Sequence, residues 1–476
     1  MNVLAIDQGT SSTKALVVGP DGAVLAEAEA PVHPQASADG GVEQNPEELL
    51  ESVLSAGRHA LAQAGAPVSA IGLANQGETV LAWDRKTGQP LSAAISWQDR
   101  RALAICDALR ERAERLQSLT GLPLDPYFAA PKIRWLREHV TREGVCTTTD
   151  AWLLRRLCGT YVTDAATASR TLLLDLATVT WSREACALFD VDADENPAIV
   201  PCAAPIGETS AFGTTLPVAG LAVDQQAALF GEGCLGAGEA KCTYGTGAFL
   251  LATVGQRPHR SRAGLAACVA WQLGNTTTYC LDGQVYTVGT ALGWLSDIGL
   301  IEHARDLDRL GETTSDAGGA VFVPGLAGLG APFWRPNARG VFAGLSLATS
   351  RGQLVRAVLD GIASQVAWLS RAAAADLGRP LVRLRVDGGL TRSRLLMQTQ
   401  ADLLQAAVEV YPSPHATALG VAALARLGIG AASDAAAAIG SWHPAAVFEP
   451  RISADEAGAR LQRWRRVAEA TMDLPS

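Results

Sequence analysis

One pattern constrains this 476-residue chain more than any other: an apolar run, a glycine-containing polar turn and a second apolar run, found once in each half. Near the start it is residues 3–6, then Asp7-Gln8-Gly9-Thr10-Ser11-Ser12-Thr13-Lys14, then residues 15–18. It returns over residues 241–253, with Thr243-Tyr244-Gly245-Thr246-Gly247 at its centre. Short apolar runs bounded by glycine read as strands, so each half opens on a hairpin. Strands are predicted over 23–30, 69–74, 80–83 and 91–96, with a second hairpin across Lys86-Thr87-Gly88. Asn45-Pro46-Glu47-Glu48 starts a helix: a capping amide, proline in the first turn, then acids. Leu49, Leu50, Val53, Leu54 and Leu61 follow at helical spacing. Alternating hairpins and helices argue an α/β fold. Two similar domains facing each other are expected over residues 1–232 and 233–476, with residues 216–224 as the crossover.

Composition narrows the function. Hydrophobic residues make up 48 % and charged residues 18 %, which excludes a disordered chain. The net charge of −9 disfavours nucleic acid as the main partner, without forbidding a local phosphate site. Nine cysteines without a C-x-x-C pair, and no His/Cys cluster of zinc spacing, read as reduced buried thiols. MNVLAIDQGT lacks the basic start of a signal peptide, and no stretch of 18 apolar residues runs free of charge. The expectation is a cytoplasmic protein without membrane insertion.

Four segments carry candidate chemistry. The first hairpin could let backbone N–H groups approach a phosphate past Gly9, with hydroxyls and Lys14 adding donors and Asp7 available to Mg²⁺. A polar turn of no special function fits the same residues equally. The second hairpin reads alone as a tight turn; paired with the first, it could clamp a triphosphate. Asp224-Gln225-Gln226 precedes an apolar helical run, where Asp224 is either a cap or a general base. Asn75-Gln76-Gly77-Glu78-Thr79 ends a strand, where α/β proteins place ligands, or is a solvated loop. Gly231-Glu232-Gly233-Cys234-Leu235-Gly236 satisfies G-x-G-x-x-G but follows a helix rather than a strand, so a dinucleotide oxidoreductase has little support.

Taken together, LAIDQGTSSTKA, GLANQGETVLAWD, SWQDRR, TGLPLDPYFAAPKIRWL, VTDAATASRT, VAGLAVDQQAALFGEGC, TYGTGAF, GLGAPFWRPNARGVFAGLS and RVDGGLTRSRLLMQTQADLL resemble the FGGY family of carbohydrate kinases, most closely its glycerol kinase branch. The resemblance runs to about residue 430. It implies two ribonuclease-H-like, actin-like ATPase domains with the active site in the interdomain cleft. The implied activity is ATP-dependent phosphorylation of a small polyol or sugar, with Mg²⁺ and with a homodimer or higher homo-oligomer as the assembly. Matched residue by residue, Asp224 becomes the base and Asp7 the Mg²⁺-associated carboxylate. Gln76, Glu78, Trp97, Tyr127, Asp224, Gln225 and Phe249 match the polyol pocket. Thr10, Ser11, Ser12, Lys14, Gly245, Thr246, Gly289, Gly388, Gly389 and Ser393 match the nucleotide site.

Four departures stand out against the family pattern. Gly77 stands where glycerol kinases usually carry arginine, which removes a donor to the polyol; Lys14 also replaces an arginine. Ser393 and Gly293 replace amides usual around the adenosine. The stretch between Gly207 and Pro217 is shorter than the glycine-rich loop that binds fructose 1,6-bisphosphate in regulated members, so that feedback is expected to be absent. Glycerol is the best single substrate; erythritol or xylulose is the alternative that Gly77 raises. A non-catalytic actin-like regulator would not need the aligned Asp7 and Asp224.

Overall fold

A computed structural model describes residues 1–472 of the chain; residues 473–476, the end of the second expected domain, lie outside the described part. The first half is built on a six-stranded sheet of β1 (Val3–Gln8), β2 (Ser12–Val18), β3 (Val24–Pro31), β4 (Ala70–Asn75), β5 (Ala203–Thr209) and β6 (Leu216–Val223), in the order β5-β6-β4-β1-β2-β3. β1, β2 and β3 form an antiparallel meander, while β4 and β6 run parallel to β1. Parallel strands buried on both faces read as unbroken apolar runs, as β4 does. β6 is where the expected crossover falls. It is instead a core strand, because residues 216–223 are apolar throughout and fill the slot beside β4. Residues 210–215 join β5 to β6 in a short turn.

The second half repeats the arrangement. β7 (Ala240–Tyr244), β8 (Ala248–Gly255), β9 (Ala266–Leu273), β10 (Thr276–Val285), β11 (Arg383–Asp387), β12 (Ala407–Val410) and β13 (Ala446–Phe448) form a sheet in the order β9-β10-β8-β7-β11-β12-β13. β7 and β8 are the hairpin and β11 runs parallel to β7, as β4 does to β1. Both glycine turns therefore sit at the same end of equivalent hairpins.

Helix α1 (Pro46–Ala64) packs on the first sheet and starts where predicted: the Asn45 side chain accepts the Glu47 N–H at 3.0 Å. α2 (Asp224–Gly231) leaves β6 directly into the cleft region. α3 (Gly289–Asp297) follows β10, and α4 (Arg351–Leu377) and α5 (Arg394–Leu404) cover the second sheet. α6 (Ala416–Gly428) lies inside the 233–476 span, yet packs on α2, β6, β4 and β1 of the first half. Val421 and Leu424 share a buried cluster there with Ala222, Ala227 and Phe230. No helix among the described residues is long and apolar enough to cross a membrane.

Candidate active site

The first hairpin sets two charges side by side. Asp7 pairs in register with Lys14 across β1 and β2, and Gly9 N–H donates to Ser12 O at 3.0 Å to close the turn. A Cβ on Gly9 would stand 3.0 Å from that carbonyl, so glycine keeps the turn tight. Burial, together with the charges of Asp224 and Asp387, pushes Asp7 up to about 7, against the pull of Lys14. The charges of Asp224 and Asp387 thus reach Asp7, although no group of three acids among the described residues forms a ready metal cage.

The second hairpin closes with Gly245 N–H on Gly247 O at 2.9 Å. The start of α3 rests on it: Val288 and Gly289 N–H donate to Thr246 O and Gly245 O, both at 3.0 Å. A Cβ at Gly289 would lie 2.5 Å from Gly245 O. Gly388 has φ +94°, and its Cβ would lie 2.4 Å from Tyr244 O, so only glycine fits without strain. Around Gly245, Gly293 and Gly389, by contrast, a Cβ would meet nothing within 4 Å: these glycines face open space.

Between the hairpins lies a cavity of about 260 Å³. The first half contributes Asp7, Thr10, Ser11, Ser12, Lys14, Glu78, Trp97, Tyr127, Asp224 and Gln225. The second half adds Thr243, Gly245, Thr246 and Phe249. Trp97 makes edge contacts with Tyr127 and Phe249, centroids 5.8 and 5.9 Å apart, giving an aromatic wall shared by both domains. Its Nε1–H donates to Thr10 Oγ1 at 2.9 Å, tying that wall to the first hairpin. Lys132, buried, donates to the carbonyls of Pro126, Tyr127 and Phe128 and so fixes the segment presenting Tyr127. Asp224, first residue of α2, accepts Gln225 N–H at 2.7 Å. Burial raises its carboxyl above the usual range, opposed by that N–H and by Lys241.

Two expected site residues are placed elsewhere. Gln76 is buried and its amide is spent on Gln8, Gln44 and Thr79, so it braces the pocket from below rather than lining it. Ser393 caps α5 through Leu396 N–H at 3.1 Å, and its hydroxyl is given to Asp308; both capacities are used within the protein. Gly77 does line the cavity, but a Cβ there would stand 2.8 Å from Val223 Cγ2. Three further residues were not anticipated. Lys241 is fully buried and donates to Gln225 Oε1 at 2.6 Å and Thr243 Oγ1 at 2.7 Å. Asp387 lies opposite Thr243 in the parallel β7–β11 pairing. Arg170 bonds Glu78 at 2.6 Å. Asp387 could have been found from the strand-end acid before Gly388-Gly389, which mirrors Asp7 before Gly9.

An acceptor pocket walled by carboxylates and aromatics, opening onto two phosphate-type hairpins of twin α/β domains, defines an ATP-dependent kinase that works in an interdomain cleft. Comparison with known proteins makes this specific. Residues 2–231 match the FGGY family of carbohydrate kinases, N-terminal domain, and residues 240–428 match its C-terminal domain. The glycerol kinase of Thermus brockianus is 42 % identical over 486 residues, covering 98 % of either chain. That of Bordetella parapertussis is 42 % identical over 489 residues, covering 98 % of this chain and 96 % of its own. The crystal structure of Plasmodium falciparum glycerol kinase with ADP superposes with a TM-score of 0.90 at 29 % identity, over 100 % of this chain and 99 % of the other. The chain belongs to the FGGY family of carbohydrate kinases.

Proposed function

We propose that this kinase transfers the γ-phosphoryl group of ATP to a terminal hydroxyl of glycerol, giving glycerol 3-phosphate. The observation that carries the reading is the shared cavity, in which Asp224 and Glu78 stand beside an aromatic wall and both hairpins. Carboxylates accept polyol O–H groups, while Trp97, Tyr127 and Phe249 cover the carbon chain. Asp224 takes the proton of the attacking hydroxyl as its oxygen bonds to phosphorus and the bond to the ADP oxygen breaks. Its place on the first turn of α2 turns the positive end of that helix toward the carboxylate. Lys14 and the hairpin N–H groups hold phosphate oxygens, and the open faces of Gly245, Gly293 and Gly389 leave room for the nucleotide.

The residues also fit Mg²⁺. The burial and the neighbouring acids that raise Asp7 would be offset by a divalent cation, and Mg²⁺ binds through one or two carboxylates plus phosphates and water. Asp7 would hold it, and when bound it would neutralise charge on the phosphates. Trp97 and Phe249 close the cavity from opposite domains and exclude water, which guards against ATP hydrolysis.

A second reading, a longer polyol or ketose such as erythritol or xylulose, draws on Gly77. No side-chain donor stands there, and Val223 presents a methyl group instead. A coupled ADP-release assay across glycerol, erythritol, ribitol and xylulose decides. Release with glycerol at the highest kcat/KM is expected; preference for another compound would overturn the substrate, and silence with all four the kinase reading of the pocket.

A further inference from the structure

Arg170 follows the short helix Ala165–Ala168 and reaches from Glu78, on the wall of the acceptor pocket, to Asp282 of the second half. Its guanidinium is 2 % exposed. Nε donates to Glu78 Oε1 at 2.6 Å, and Nη1 lies 2.6 Å from Asp282 Oδ2. Glu78 belongs to the first half; Asp282 is on β10 of the second. Nη1 also meets Cys268 Sγ at 3.6 Å, and the guanidinium lies 5.2 Å and 5.6 Å from the ring centres of Phe128 and Tyr127. Ser169 Oγ accepts Val269 N–H at 3.0 Å, which pins the segment to β9 of the second domain. Glu78 itself sits at φ +58°, a left-handed conformation that costs a residue with a side chain and persists only where the surroundings impose it.

We propose that Arg170 is a positioning residue, which bridges Glu78 to Asp282 across the domain boundary and so holds the Glu78 carboxylate in place as a charged acceptor for the polyol. The proposal rests on the reading of Glu78 as a polyol contact. It links acceptor affinity to the packing of the two domains, because Arg170 cannot follow Glu78 without breaking its buried ion pair with Asp282.

The charges around Glu78 give the bridge a direction that can be measured. Arg170, Lys132, Asp224, Tyr127 and Tyr286 face it, with Asp282 beyond Arg170. Burial lifts Glu78 to about 6, Arg170 and Lys132 pull it down, and Asp224 pushes it up. Lys132 is itself lowered to about 7 by burial and is a weak substitute for Arg170. Without Arg170, Glu78 binds its proton at higher pH and loses acceptor capacity. Without the Asp282 charge, the guanidinium is left to Glu78 alone, which then ionises at lower pH.

The test measures polyol-dependent ADP release by the full chain from pH 5.5 to 9, at saturating ATP and Mg²⁺, with glycerol varied. Arg170→Met is expected to raise KM for glycerol about tenfold or more with a smaller change in kcat, and to move the acid limb of kcat/KM up by roughly one pH unit. Asp282→Asn should move that limb down, and Arg170→Lys should fall between wild type and Arg170→Met. Limbs that stay put, or move the same way in Arg170→Met and Asp282→Asn, would overturn the bridge while the wild type remains active. If Arg170→Met fails to fold, an unmoved or raised limb in Asp282→Asn overturns it alone. A wild type inactive on every polyol would remove the reading of Glu78, and the bridge with it.

Discussion

Asp224 shows how much one residue's setting decides. The same carboxyl on an exposed helix start would be a cap; here it opens into a cavity, is raised by burial and is steadied by Gln225 N–H. In the proposed role of base, it must be ionised before the acceptor hydroxyl attacks. Asp224→Asn keeps the shape and removes the proton acceptor, so kcat should fall about 10²- to 10⁴-fold, with little change in the melting temperature. A kcat near wild type in the ADP-release assay would refute the role. Gly77 is the converse case, where a missing side chain is held in place by a neighbour. With Val223 Cγ2 only 2.8 Å from a Cβ, Gly77→Arg alone overpacks the pocket floor and should cost about 1–3 kcal/mol. Adding Val223→Ala should recover most of that loss by thermal or urea unfolding. Additive costs in the double variant would show that the two positions are independent.

At the scale of elements, the helix that carries Asp224, the proposed base, is placed by a helix–helix contact made of glycine. α6 approaches α2 so closely that a Cβ on Gly420 would stand 1.8 Å from Ala227 O, and one on Gly231 2.5 Å from Ala416 O. Backbone cannot yield as a flexible side chain can. Gly420→Val should therefore force the helices apart, costing roughly 3 kcal/mol or more and lowering kcat by displacing Asp224, readable as a parallel loss of melting temperature and ADP release. Loss of stability with kcat intact would separate the contact from the base. This contact was hidden in the sequence, because Gly420 sits in an alanine-rich run that reads only as apolar helix. The hairpins were legible, because a polar glycine turn between apolar runs is a local signal. Asp224 stood out as an acid just ahead of an apolar helical run, with cap and base both open, and its position at the cavity was legible only as far as that. Lys241 was not legible, since its place beside the site depends on a parallel pairing between strands some 140 residues apart in sequence. Gln76 was misplaced because a motif fixes which residue is present and not which way it points. Its amide turns under the sheet toward Gln8 and Gln44.

For the whole molecule, the twin-sheet design gathers acids at the seam. Asp7 lies near the end of β1 in one sheet and Asp387 ends β11 in the other, and the charges of Asp387 and Asp224 both reach Asp7. Burial raises all three above the usual carboxylate range, and at Asp7 the charges of Asp224 and Asp387 add to it. The stability consequence has a definite sign. Asp7 has a folded value of about 7, against about 3.9 in an unfolded chain, so the native state holds its proton more tightly. Its contribution is fully present below the unfolded value and is lost as pH rises through about 7. Asp164, raised to about 7 by burial and by Asp150 beneath the segment that carries Arg170, adds in the same direction. Each such proton is worth on the order of 1.4 kcal/mol per pH unit over that window. The protein without ligand should therefore melt at a progressively lower temperature from pH 5 to pH 8. With Asp7 holding Mg²⁺ as proposed, ADP with Mg²⁺ would prefer the ionised cleft, so the rise in melting temperature that it produces should be larger at pH 8 than at pH 6. Asp7→Asn should flatten the slope of the free protein and shrink the pH dependence of the ligand-induced rise, whereas Asp164→Asn should flatten the first and leave the second. Differential scanning calorimetry at fixed ionic strength separates the cases. A ligand-induced rise that is equal at both pH values in the wild type would mean that Asp7 does not meet the metal-bound phosphates.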